Sequence, residues 1–183
     1  RLVIGQIHET VGPKDGDDPI EHYLAVLADK TGSLIATAAE FGAHFGGVEE
    51  TIVARLREYG EHIGMAFQLS DDILDIASES AESGKTPGTD LREGIATLPV
   101  LYALRERNSA ADRLRELVEH PLVDDDELAE ALGLLRASPA IAAARETVRS
   151  YAARARQALA GLPDVPARRA FESLSEFVID RTA

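Results

Sequence analysis

Apolar residues recur at the three- and four-residue spacing of α-helices along most of the chain, and bounded runs with strand-like alternation are absent. This pattern predicts an all-α fold. No internal repeat or low-complexity linker interrupts it, so we expect one domain over residues 1–183. The predicted helical segments are 1–10, 20–44, 49–77, 91–107, 110–119, a helix after 124–126, 138–161 and 166–180.

Turn-forming residues mark the breaks between these helices. The stretch 11–19 is rich in Gly, Asp and Pro and predicts a loop, Gly46-Gly47 ends the second helix, and 78–89 predicts a polar loop. Pro99 should kink or restart its helix, and Ser109 is the expected N-cap of the next one. The helix at 20–44 is expected to bury one apolar face, formed by Tyr23, Leu24, Leu27, Ile35 and Phe41.

The long helix at 49–77 has an unusual distribution of polar residues. At 100° per residue, Gln68, Asp71, Asp72 and Asp75 fall within an arc of roughly 100°. Apolar residues occupy most of the remaining circumference, which is the reverse of an ordinary surface helix. The helix therefore carries a narrow acidic stripe on an otherwise apolar surface.

Two interpretations of this stripe follow from the residues alone. Neighbouring carboxylates on a mostly buried helix repel one another and are costly to desolvate unless a cation neutralises them. Oxygen ligands suit Mg²⁺, which takes one or two carboxylates and completes its shell with water and phosphate oxygens. The alternative is a solvated acidic face that borders a core, because the DDxxD pattern by itself is weakly specific.

Charge and composition restrict the partners of the chain. It has 32 Asp and Glu against 19 Lys and Arg, a formal charge of −13, so nucleic acid and anionic lipid are poor partners. With no Cys, disulfides, thiolate chemistry and Cys-ligated zinc are excluded. No apolar run is long enough to span a bilayer and no signal-peptide layout is present. We expect a soluble, cytoplasmic protein, and a first residue other than Met suggests a fragment.

Three further features could contribute to a binding site. Lys30, in Lys30-Thr31-Gly32, lies within an apolar helix, so its ammonium either binds an anion or extends to the surface. Lys85 lies in a loop directly after the acidic helix, within reach of an anion held by Asp71. The first segment contains Gly5-Gln6 and His8, and a single His is more often structural than a ligand.

Taken in order, these motifs resemble the C-terminal half of the trans-polyprenyl diphosphate synthases. The resemblance covers residues 1 to 105 well and the remaining helices more loosely. It implies a bundle of long antiparallel helices around a deep cavity, usually as a homodimer, with the N-terminal helices missing from this chain. The motifs that carry it are Gly5-Gln6, Lys30-Thr31, Gly64-x-x-Phe67-Gln68-x-x-Asp71-Asp72-x-x-Asp75, Gly84-Lys85, Gly88-x-Asp90-Leu91 and Glu93-Gly94-x-x-Thr97-Leu98-Pro99.

The resemblance also implies roles for individual residues. Asp71 would bind Mg²⁺, supported by Asp72 and Asp75. The ammonium groups of Lys30 and Lys85 would bind the diphosphate of an allylic prenyl substrate. Thr31 and Gln68 would face the carbon from which diphosphate leaves, with Gln68 also close to the diphosphate. The implied reaction is the attack of isopentenyl diphosphate on the resulting allylic cation. All of these residues are expected to converge on one cavity.

The chain departs from the family pattern in two respects. Ile95 and Ala96 occupy the gap in which the family often has a Lys. No second aspartate-rich helix is present, because Asp17-Asp18 and 124–126 lie in predicted loops. We therefore expect an incomplete half that does not elongate prenyl chains alone. We expect a homodimer or a heterodimer. Alternatives are a noncatalytic truncated homologue that acts as the partner subunit of a complete synthase in a heterodimer, and a class I terpene cyclase.

Overall fold

The computed structural model describes residues 1–78 and 87–182, and their regular structure is entirely helical. The prediction of an all-α fold is confirmed. No helix within these residues is both long and apolar enough to cross a membrane. The helices are α1 (Leu2–Val11), α2 (Pro19–Leu27), a π-helical turn (Ala28–Gly32), α3 (Ser33–Phe45), α4 (Glu50–Ala77), α5 (Thr89–Glu93), α6 (Leu98–Ala103), α7 (Ser109–Leu117), α8 (Asp125–Ala137), α9 (Ala140–Ala158) and α10 (Pro166–Asp180).

The chain divides into two compact units. The first comprises Arg1–Ser70 and Thr147–Ala183, and the second comprises Asp71–Glu146. In the first unit α1 packs on α2 and on the π-helical turn, which joins α2 to α3 without a break. In the second unit α8 packs on α6 and α7. The expectation of a single domain over 1–183 stays a prediction.

The helix predicted at 20–44 is interrupted. Its path is continuous, but residues Ala28–Gly32 form a π-helical turn between α2 and α3. Such turns insert one residue into the helical repeat, which rotates the following side chains about the axis. Beyond the turn, Ile35 and Phe41 are exposed, so the predicted buried face is wrong for both of them. Ser33, Ala36 and Ala43 are the buried residues of α3 instead.

Two boundaries also differ from the sequence expectation. The single helix expected at 91–107 is replaced by α5 and α6, because Gly94 adopts a left-handed φ of 76° and ends α5. Pro99 lies in the first turn of α6. Backbone N–H groups in the first turn of a helix have no intrahelical acceptor, so a proline, which lacks this group, costs no hydrogen bond there. Helix α7 is capped by Asn108 rather than Ser109, since the Asn108 side chain accepts from the backbone N–H of Ala111.

Candidate active site

A hydrogen bond in the first unit joins the Lys-Thr motif to the aspartate-rich helix. The hydroxyl of Thr31 donates to Oε1 of Gln68 at 3.2 Å, across 37 residues of sequence. The two helical segments meet closely because of Gly64, where a Cβ would lie 3.2 Å from the Cα of Gly32 and 3.1 Å from the Cβ of Ile35. Gln68 follows Gly64 by one helical turn, so this close approach places its amide beside Thr31.

Lys30 and Thr31 both belong to the π-helical turn. Turns of this type are uncommon and occur frequently at functional sites, because the inserted residue changes where adjacent side chains point. Lys30 Nζ forms an ion pair with Glu9 on α1, at 2.9 Å to Oε1 and 2.7 Å to Oε2. The Lys30 ammonium is thus held by a carboxylate of the same chain.

Glu9 is a candidate site residue that our sequence reasoning missed. A signal for it was available, because Glu9 follows Gly5 by four residues and so shares a face of α1 with the Gly-Gln segment. His8, the other candidate there, is exposed. Its ring lies 6.4 Å from that of His22, and its backbone oxygen lies 3.2 Å from His22 Nε2.

The acidic stripe of α4 lies among buried apolar side chains, as its periodicity predicts. Asp72 is buried, with 3% of its surface exposed, and Asp71 and Asp75 are half-buried. Leu69, Ile73 and Ile76 of the same helix are fully buried, whereas Phe67 is exposed. The environment therefore favours a cation or hydrogen-bond donors next to these carboxylates.

Asp75 has donors of this kind in the second unit. Its Oδ1 accepts from the backbone N–H of Thr89 at 3.1 Å, and its Oδ2 accepts from the N–H of Asp90 at 3.2 Å. These are the first N–H groups of α5, which have no partner within that helix. Asp75 therefore fixes the start of α5 against the end of α4. Its predicted role beside a metal stays a prediction.

Within residues 1–78 and 87–182, no three His, Asp or Glu side chains are grouped as a complete protein-only metal site. Lys85, the second predicted diphosphate ligand, lies outside the described residues. The convergence of Lys30, Lys85 and Asp71 on one cavity also stays a prediction.

Ile95, where the family often has a Lys, is half-buried in the second unit. Its backbone N–H donates to the carbonyl oxygen of Asp90 at 2.8 Å, across the end of α5. An apolar side chain at this position supplies no cation for a diphosphate.

An apolar cavity of about 540 Å³ opens between α3, α4 and α10 in the first unit. Gly60 and Ile63 of α4 lie in its wall, one to two turns before Gln68. The volume falls in the range of small-molecule sites, and walls of this composition favour a hydrocarbon over a polar ligand. Other lining residues are Ile35, Gly42, Tyr59, Phe171 and Leu174.

Comparison with known proteins identifies similar chains. The chain is 52% identical to nonaprenyl diphosphate synthase of Mycobacterium tuberculosis over 181 residues, covering 99% of this chain and 54% of that protein. It is 46% identical to a dimethylallyltranstransferase of the same organism over 178 residues, covering 97% of this chain and 54% of that protein. The chain thus spans about half the length of the curated relatives that it matches.

A solved structure shows the same fold. The chain resembles geranylgeranyl pyrophosphate synthase from Corynebacterium glutamicum, complexed with calcium and isoprenyl diphosphate, with a TM-score of 0.92 and 44% identity. The match covers 100% of this chain and 56% of that structure. The prediction of an isoprenoid synthase fold is confirmed. Residues 1–135 match the family model described as polyprenyl synthetase, and the chain therefore belongs to the polyprenyl synthetase family.

Proposed function

We propose that the protein containing this chain is a prenyl diphosphate synthase, which condenses an allylic diphosphate with isopentenyl diphosphate. The observation that carries this proposal is the hydrogen bond between Thr31 and Gln68. This bond places two neutral dipoles side by side. Thr31 directly follows Lys30 in sequence, and Gln68 lies about one helical turn before Asp71. A site that separates a cation from a pyrophosphate anion needs this combination of dipoles and charges.

The described residues can divide this work between them. The Thr31 hydroxyl uses its only proton on Gln68, which leaves its oxygen lone pairs for a developing carbocation. Because neither side chain is a strong nucleophile, both can stabilise positive charge without capturing it. Lys30 supplies the positive charge for the diphosphate that departs with the electron pair of the broken C–O bond. The double bond of isopentenyl diphosphate then attacks the cation, and loss of a proton completes the longer chain.

The acidic residues fit a divalent cation, which we propose to be Mg²⁺. Asp71 would hold it, with Asp72 and Asp75 beside it on α4. The fit rests on the burial of Asp72 and on a donor set made only of carboxylate oxygens. When bound, the cation neutralises diphosphate oxygens and so stabilises the leaving group. The relative from Corynebacterium glutamicum was solved with calcium, which is also a divalent cation with a preference for oxygen ligands.

The apolar cavity is the proposed site for the hydrocarbon part of the substrate. A prenyl chain buried there would keep water away from the reacting carbon. Water that reached this carbon would capture the cation. The acidic surface of the chain, with a net charge of −13, is compatible with a diphosphate only where cations invert the local potential. We further propose that the protein acts as a homodimer or a heterodimer, as its family resemblance implies.

The test is an elongation assay with the full-length protein, Mg²⁺, farnesyl diphosphate and labelled isopentenyl diphosphate. The proposal expects labelled products longer than farnesyl diphosphate, and none without the divalent cation. Gln68→Leu should slow the reaction strongly, because it removes the acceptor of Thr31. Gln157→Leu, which alters the same residue type on α9, is the matched control. The 183-residue chain alone is expected to be inactive, and no product from the full-length protein would overturn the proposal.

A further inference from the structure

The Gly-Gln segment of α1 has no part in the proposed chemistry, yet it packs directly on the π-helical turn. Gly5 is buried, and a Cβ at this position would lie 2.9 Å from the Cβ of Asp29 and 3.1 Å from the backbone nitrogen of Lys30. A side chain there would push α1 away from the turn. Gly5 therefore lets the backbone of α1 approach Lys30, and Glu9 lies one turn further along the same face.

Glu9 holds the Lys30 ammonium with both carboxylate oxygens, at 2.9 Å and 2.7 Å. Gln6 holds Glu9 in turn, because its Nε2 donates to Oε2 of Glu9 at 2.9 Å. The side chains of Lys30 and Glu9 are each about one-third exposed, at 31% and 32%. Ion pairs with this exposure contribute little stability, typically under about 1 kcal/mol. The arrangement is better explained by what it does to the ammonium.

We infer that Glu9, oriented by Gln6, is a positioning residue that holds the Lys30 ammonium for the diphosphate and limits how tightly the product pyrophosphate is retained. This inference rests on the proposed function. A Lys ammonium has three N–H donors on a flexible four-carbon stem. Two donors directed at Glu9 fix the nitrogen and leave the third for a diphosphate oxygen. The negative charge of Glu9 opposes a second anion at the same cation, and so favours release of pyrophosphate.

The ion pair can be tested without any activity measurement, because the chain has only three lysines, Lys14, Lys30 and Lys85. In protein made with ¹³C,¹⁵N-lysine, each side chain gives its own ε-methylene and ammonium NMR signals. Glu9→Gln should shift the Lys30 signals of the ligand-free protein and leave those of Lys14 unchanged. Glu49→Gln, which neutralises an exposed Glu away from this contact, should shift none of them. An unmoved Lys30 signal in the Glu9→Gln variant overturns the inference.

Kinetics of the full-length protein test the consequence. Glu9→Gln should lower kcat by roughly 10-fold to 100-fold, since small misplacement of a positioned group costs that much. The Kd for inorganic pyrophosphate with Mg²⁺ should fall rather than rise. Glu9→Asp keeps the negative charge and should recover part of kcat. In a Lys30→Met background, the additional change Glu9→Gln should not lower kcat further.

Failure of this inference can be distinguished from failure of the proposed function. An active wild-type protein with Glu9→Gln indistinguishable from Glu49→Gln overturns the role of Glu9 alone. If the full-length wild-type protein is inactive, and the Lys30 signals of the 183-residue chain do not respond to Mg²⁺ and pyrophosphate, the proposed function itself is overturned.

Discussion

The phenol of Tyr59 donates a hydrogen bond to the backbone oxygen of Phe171 at 2.9 Å, and the two aromatic rings lie 5.0 Å apart. This contact joins α4 to α10 within the first unit, and both residues line the apolar cavity. Burial raises the pKa of Tyr59 above its ordinary value, because the charged phenolate would be poorly solvated there. The last helix of the chain thus forms one wall of the site proposed for the prenyl group.

Removing this hydroxyl should weaken the attachment of α10. Tyr59→Phe should lower the free energy of unfolding by about 1 kcal/mol, the usual net value of one hydrogen bond. The loss is moderate because the Ser175 hydroxyl also donates to the Phe171 oxygen. Tyr59→Ala should cost about 3 kcal/mol or more, since it also removes the ring. Urea unfolding, with an unchanged m-value, measures the free energy of unfolding of both variants. Equal losses in Tyr59→Phe and Tyr59→Ala would contradict the separate contributions of the hydroxyl and the ring.

Stability should depend on pH through His62. Burial is the largest cause that lowers the pKa of His62 below its ordinary value. The positive charge of Arg154 also lowers this pKa, and the carboxylates of Glu58 and Glu61 raise it. The unfolded chain then binds more protons than the folded chain just below about pH 6.5, so stability rises with pH in that window. The stabilisation is complete above this range and is lost as the pH falls through the lower, folded-state pKa.

The His62 variant checks the sign. His62→Gln should flatten the rise in unfolding free energy between about pH 5 and pH 7, because the Gln side chain that replaces His62 does not titrate. His120→Gln, an exposed histidine of the second unit, serves as the control. A wild-type protein that becomes more stable as the pH falls through this window would contradict the prediction.

Two carboxylates of the acidic stripe should behave differently on substitution. Asp75→Ala removes the acceptor of the Thr89 and Asp90 N–H groups, and should lower the ligand-free unfolding free energy by about 1 kcal/mol, as loss of a helix cap does. Asp71→Ala should change ligand-free stability less. It should instead abolish the rise in Tm that Mg²⁺ and pyrophosphate produce in the wild-type chain by mass action.

Thermal scans of the two variants, with and without Mg²⁺ and pyrophosphate, separate these roles. Retention of the full ligand-dependent rise in Asp71→Ala would exclude Asp71 as the principal metal ligand. A wild-type chain with no rise at all would favour the solvated acidic face over a metal site.

The apolar cavity should limit the length of the product. Gly42 lines it, and a Cβ at Gly42 would meet nothing within 4 Å, so a side chain can be added there without a clash at its first carbon. Gly42→Phe in the full-length protein should shorten the longest product by at least one isoprene unit, measured by reversed-phase chromatography of the products. Gly133→Phe is the matched control, because Gly133 on α8 also has open space around it. Identical product lengths in the two variants would show that the prenyl chain lies elsewhere.

The sequence by itself determined the helical architecture and the candidate residues on α4. Helix periodicity, caps and proline positions depend on neighbours in sequence, which is why α4 and α10 end within a residue of their predicted bounds. The stripe of Gln68, Asp71, Asp72 and Asp75 follows from the same 100° step, since one straight helix fixes which side chains share a face.

Only the tertiary structure decided how distant residues pair. The π-helical turn at Lys30 lies where α1 packs on the continuous path of α2 and α3, and no local sequence pattern predicts such packing. Beyond the turn, Ile35 and Phe41 are exposed, although the periodicity predicts a buried position for both. The partner of Lys30 is Glu9, 21 residues away on another helix. That contact depends on the close approach of two backbones at Gly5, a property of packed helices that one-dimensional periodicity does not contain.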